Sequence, residues 1–134
     1  MDLTNSDVVE LTALRRKLHA MPEISGAEVE TARVVVEALV PLRPDEVVTG
    51  LGGHGVAAVF DSGLPGPTIL FRSELDALPA IELTESPHRS QNEGRAHLCG
   101  HDGHAATLVG LARVLSRRRP ARGRIRRTLS QRRS

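Results

Sequence analysis

Aromatic residues are nearly missing from this chain, which has two Phe and neither Trp nor Tyr, so any core must be built from aliphatic side chains. No stretch of about 18 apolar residues occurs, which excludes a membrane-spanning helix of the usual length. The start, Met1-Asp2-Leu3-Thr4-Asn5, lacks a basic stretch followed by an apolar one, so no secretory signal is expected. A single Cys, Cys99, rules out a disulfide framework and points to a reduced, cytoplasmic setting. That thiol is free to be a small buried hydrophobe or a thiolate ligand. Lysine is reduced to Lys17, and no acid follows Asp102.

What remains is enough for one small domain: 134 residues, 40% of them hydrophobic. The net charge of +2 conceals a split. Residues 1–102 carry all 16 acids and 8 basic residues, a balance of −8, whereas residues 103–134 carry 10 Arg and no acid. An acidic body joined to a basic tail divides the chain into two parts with separate surfaces. The expected division is a folded portion over residues 1–116 and an Arg-rich tail over residues 117–134. The tail has nine Arg and no apolar periodicity, and no packed structure is expected there.

Within the body the apolar spacing predicts an α/β arrangement. Val8, Leu11, Leu14 and Leu18 recur at intervals of three and four, which predicts a helix from about Ser6 to Ala20, ended by Pro22. Ser25-Gly26-Ala27-Glu28 has the pattern of a capping box, opening a helix that buries Ala27, Thr31, Val34, Val35 and Leu39 and stops before Pro41. Glu46 to Thr49, Gly55 to Phe60 and Thr68 to Phe71 read as strands. The last two are short continuous apolar runs, which suit strands covered on both faces. Residues 80–98 are polar and aperiodic, a loop of the length that often carries function. A final helix is expected from Ala105 to about Ser116. The fold class is therefore α/β, a short mixed sheet flanked by helices.

Two clusters carry chemistry. Arg72-Ser73-Glu74-Leu75-Asp76 follows the 68–71 strand, and alternation along a strand would put Glu74 and Asp76 on one face at its carboxyl end. That end is where open α/β sheets place ligands, although acids there can also be merely solvated. The second cluster is Cys99-Gly100-His101-Asp102-Gly103-His104, with a thiol, two imidazoles and a carboxylate in six residues. Thiolate and imidazole are ligands for zinc and related transition metals. Asp102 could instead orient a ligating His. A buried Cys beside surface histidines is the alternative, but six loaded or glycine positions in succession favour metal binding. No Gly-x-Ser-x-Gly elbow is present. His19 meets the dipole at the end of its helix, His54 and His88 read as loop residues, and His97 could line the site through its nearness to Cys99.

The stretches Arg15 to Glu23, Gly66-Pro67-Thr68, Arg72 to Pro79 and His97 to His104 together resemble the M20 peptidase superfamily. The branch is the one holding hippurate hydrolases, N-acyl-amino-acid amidohydrolases and auxin-conjugate hydrolases, and the likeness runs from about residue 10 to about residue 116. The resemblance implies a metal-dependent amidohydrolase that cleaves the amide bond of small-molecule N-acyl amino acids, with divalent ions, Mn or Zn before Co or Ni, as cofactors. Carried over by position, Cys99 and His101 are the metal ligands. Asp76 is the catalytic-site acid that supports a ligand. Glu74 departs from the Asp usual in relatives.

After Gly123 such enzymes continue with an apolar strand and Gln-Pro-Ala-Glu-Glu, which supplies the general base. Here an acid-free Arg-rich sequence stands in its place, resembling translation in a shifted frame. The expectation is an N-terminal portion without the family's later ligands or oligomerisation domain, inactive alone. A non-catalytic metal-binding remnant is one alternative. A nucleic-acid-binding module using the Arg tail is another, disfavoured because the tail has no aromatic residue to stack on bases. No membrane partner is expected.

Overall fold

The computed structural model describes residues 3–118, which form an α/β unit of three helices and a two-stranded sheet. Helix α1 spans Asn5–Ala20, α2 spans Val29–Leu39 and runs into a single 3-10 turn at Val40–Leu42, and α3 spans His101–Arg117. Strands β1 (Glu46–Leu51) and β2 (Gly55–Val59) pair antiparallel. Glu46 faces Val59 and Val48 faces Ala57, after which the register slips before Leu51 meets Gly55. Gly50, Gly52 and Gly53 all take positive φ there, which closes the hairpin where a side chain would be strained. No helix among the described residues is long and apolar enough to cross a membrane.

The N-terminus of α1 is fixed by a capping box that the sequence pattern did not single out. The Thr4 hydroxyl accepts from the Asp7 N–H, and the Asp7 carboxylate accepts from the Thr4 N–H at 2.7 Å. At α2 the expected box is not formed. The helix starts at Val29, Ser25 and Ala27 are exposed, and the Glu23 carboxylate accepts from both the Thr31 N–H and the Thr31 hydroxyl. A carboxylate eight residues from its target does what the nearby Ser was expected to do.

The core is aliphatic, as the lack of aromatics required. Leu18 of α1, Val34, Val35 and Leu39 of α2, Val56 and Ala58 of β2, and Ala105, Val109 and Ala112 of α3 meet around Phe60 and Leu75. Ala57 is buried on the opposite face of β2, so this strand is covered on both sides, as its unbroken apolar run implied. Val8, by contrast, lies half exposed rather than inward.

The expected strand at Thr68–Phe71 is a correction. Ile69, Leu70 and Phe71 are exposed, and among the described residues no ladder forms along this segment. Just beyond, pairing is limited to isolated bridges, Ile24 with Ala77 (parallel) and Leu78 with Ala96 (antiparallel). Helix α3 also begins four residues before the expected Ala105. Arg117 closes it, and two of its nitrogens donate to Asp7 at 2.6 Å, so this residue belongs to the folded part. The rest of the tail, from 119 to 134, lies outside the described residues.

Candidate metal centre

Three segments meet at the amino end of α3. The segment Glu74–Ala77 is extended, with Leu75 and Ala77 buried and Glu74 and Asp76 half-buried on the other side. The alternation expected of a strand therefore survives without a sheet, and both acids face α3. Gly100 precedes the helix with φ 85° and ψ 7°, a left-handed conformation that favours glycine and turns the chain from Cys99 into the helix. His101 and His104 then lie three residues apart in the first turn, on one face, with ring centroids 5.9 Å apart.

Glu74, His101 and His104 bring one ligand atom each to within 4.8 Å of one another. The Nδ1 of His101 lies 3.0 Å from the Asp76 carbonyl and 3.1 Å from its carboxylate. A carbonyl can only accept, so Nδ1 carries a proton, which leaves Nε2 as the ring atom that could meet a metal. That Nε2 lies 3.9 Å from Glu74 Oε2. Zinc bonds of about 2.0–2.2 Å to nitrogen and carboxylate oxygen can bridge such a gap. The Arg72 guanidinium, 2.8 Å from Glu74, holds that carboxyl below its usual range, with His101 adding to the effect. The donor set of one carboxylate and two imidazoles therefore fits a divalent transition metal.

Each residue marked out in the sequence can now be placed. Asp76 is in contact with His101 and orients it. Cys99 stands beside the three-residue cluster, half-buried, its Sγ 4.0 Å from the same Asp76 carbonyl that receives His101. Asp102 does not face His101. It is buried and accepts from His19 Nδ1 at 2.8 Å and from Arg15 Nε at 2.9 Å.

The structure adds residues that the sequence pattern passed over. His19, at the end of α1, is buried, and its Nε2 lies 2.7 Å from Glu82, in the loop after residue 80. Burial pushes the Glu82 carboxyl up, but hydrogen bonds from the Ser90 N–H, His19 and the Thr84 hydroxyl outweigh it and bring it down to about 2. Asp102 is likewise held below its usual value, since the His19 bond, the Gly103 N–H and Arg15 outweigh burial. His97 is buried with no hydrogen-bond partner on either ring nitrogen among the described residues, and desolvation favours its neutral form. The motif Arg15-Arg16-Lys17-Leu18-His19 was the available signal for His19. Of its partners, Asp102 lay in the marked 99–104 cluster, whereas Glu82, 63 residues away, carried no signal.

An α/β unit that gathers imidazoles and a carboxylate at a helix amino end has the donor set of a metal site. Its relatives define it further. Residues 70–130 match the family described as Peptidase family M20/M25/M40. The N-acyl-L-amino acid amidohydrolase of Geobacillus stearothermophilus is 38% identical over 127 residues, covering 94% of this chain and 33% of that protein. The N-acetyl-L-cysteine deacetylase of Bacillus subtilis is 38% identical over 110 residues, covering 79% of this chain and 25% of that protein. Among solved structures, the Bacillus subtilis YXEP protein, described as a dinuclear metal binding peptidase from the M20 family, superposes with a TM-score of 0.87 at 34% identity. It covers 95% of this chain and 36% of that one. The chain carries an M20 peptidase family match over residues 70–130, and its fold matches the corresponding part of an M20 peptidase. It spans about a quarter to a third of the length of these relatives.

Proposed function

We propose that this chain carries part of the metal centre of an amidohydrolase that cleaves the amide bond of N-acyl amino acids. The observation that carries the reading is the convergence of Glu74, His101 and His104, with Asp76 seated on the far nitrogen of His101. His101 and Cys99 are the principal ligands, Glu74 and His104 complete the set, and Asp76 holds the His101 ring in its ligating tautomer. A divalent ion bound there, Mn or Zn foremost, would polarise a scissile carbonyl and lower the pKa of a bound water. The family supports the amide bond as the target, since relatives named for N-acyl amino acid hydrolysis and N-acetylcysteine deacetylation share this segment.

The chain alone does not turn over. Its acids at the site are already engaged, Glu74 by Arg72, Asp76 by His101 and Asp102 by His19 and Arg15, and no acid follows residue 102. A general base is worth about 10²–10⁴-fold, and none of these carboxylates is free to be one.

Titration of the chain with cobalt tests the metal centre. Thiolate-to-metal absorption is expected, lost in Cys99→Ser, with binding weakened in His101→Ala. Absence of cobalt binding by the unaltered chain would overturn the reading. Metal-dependent release of acetate from an N-acetyl amino acid by the purified chain would overturn the claim of inactivity.

A further inference from the structure

His19 lies 83 residues before Asp102 in the chain and bonds to it at 2.8 Å. Its other nitrogen reaches Glu82 at 2.7 Å, and both carboxylates are almost wholly buried, with side chains 1% and 4% exposed. One imidazole thus joins three separate pieces: the end of α1, the loop after residue 80 and the first turn of α3. Glu82 extends the join, since its second oxygen accepts from the Ser90 N–H at 2.6 Å and so ties the loop to the same point. Arg15, one turn earlier on α1, donates to Asp102 at 2.9 Å and approaches His88 at 3.3 Å. The rings of His88 and His97 close the surroundings, 5.5 Å and 6.4 Å from the His19 ring.

Asp102 is the residue between His101 and the remainder of the first turn that carries His104. Holding Asp102 holds both imidazoles at once, because a helical turn is rigid against rotation of single residues within it. Two buried carboxylates without the imidazole between them would repel each other and leave acceptors unpaired, and the turn that bears Asp102 would shift to relieve this. The bridge is thus strong, multiply bonded and attached one residue from the ligand pair.

We infer that His19 is a positioning residue for the metal centre, setting the amino end of α3, through the Asp102 and Glu82 carboxylates, so that His101 and His104 face Glu74. The inference rests on the metal-centre reading above. Outer partners of ligands commonly change metal affinity about 10–100-fold, and an effect of that size is expected when the bridge is lost.

The test compares cobalt affinity in the full chain with that of His19→Leu, His19→Asn and, as a control of the fold, Leu39→Ala, a core position outside the bridge, at a temperature where far-ultraviolet dichroism shows each to be helical. His19→Leu is expected to bind cobalt about 10–100-fold more weakly. His19→Asn keeps a donor for Asp102 and should recover part of the loss. Leu39→Ala should stay within about two-fold of the unaltered chain, since it leaves the bridge in place. Unchanged affinity in His19→Leu would overturn the inference, and so would an equal loss in Leu39→Ala, which would reduce His19 to a general stabiliser. If His19→Leu fails to form helix, Glu82→Gln decides. It keeps the shape but removes one charge from the bridge, so weakened binding supports the inference and unchanged binding overturns it. Failure of the unaltered chain to bind cobalt would instead overturn the metal-centre reading itself.

Discussion

The two glycines of Cys99-Gly100-His101-Asp102-Gly103-His104 should respond to alanine with opposite signs. Gly100 sits at φ 85°, and a Cβ built there meets only His104 Nε2, at 4.0 Å. The space is open, so the cost of Gly100→Ala is conformational. A left-handed backbone costs a non-glycine residue about 1–2 kcal/mol. Gly103 is inside the first turn of α3 at ordinary helical φ, and its Cβ would meet nothing within 4 Å. There alanine removes unfolded-state freedom and improves helix propensity, a gain of about 0.5–1 kcal/mol. With a urea slope of about 1–3 kcal/mol per molar, the midpoint should fall by roughly 0.5–1 M for Gly100→Ala and rise by a smaller amount for Gly103→Ala. Equilibrium urea unfolding followed by helix dichroism measures both on one scale. A neutral Gly100→Ala would refute the strained turn into α3, and a Gly103→Ala as damaging as Gly100→Ala would refute the placement of the helix start at His101.

Two further outcomes follow from the core and the ion pairs. Leu39→Ala, at a fully buried position between α2 and β2, should cost about 2–5 kcal/mol in the same assay, and a loss under 1 kcal/mol would mean that the core is not closed there. Acid should unfold the chain through its depressed carboxylates. Asp7 is held far below its usual range, first by Arg117, then by the Thr4 N–H, its hydroxyl and Arg113, and Glu82 is held at about 2. A depressed carboxylate contributes stability above its unfolded value and loses it as the pH falls through its folded value. For Glu82 the loss therefore runs from about pH 4.5 down to about 2. The urea midpoint should fall across that window, and Asp7→Asn should lower it at neutral pH while flattening the acid limb. A midpoint independent of pH between 5 and 2 would contradict the pairing.

The chain's local patterns determined most of the elements and the place of the site. Spacings of three and four marked α1 and α2, a short apolar run marked β2, and the concentration of Cys, His and Asp between residues 99 and 104 marked the candidate metal centre. These signals report on neighbours along the backbone, where periodicity and composition act directly. Tertiary structure alone decided the rest. The 68–71 run had the composition of a strand, but no ladder is formed along it among the described residues. Asp102 read as a carboxylate that could orient a ligating His, whereas it bonds His19, and Asp76 takes the His101 nitrogen. Glu82 fell within the polar 80–98 loop with no signal of its own and became one side of a buried bridge. Each case depends on which groups meet across more than 20 residues of chain, and that is set by packing around the aliphatic core rather than by any pattern within a segment.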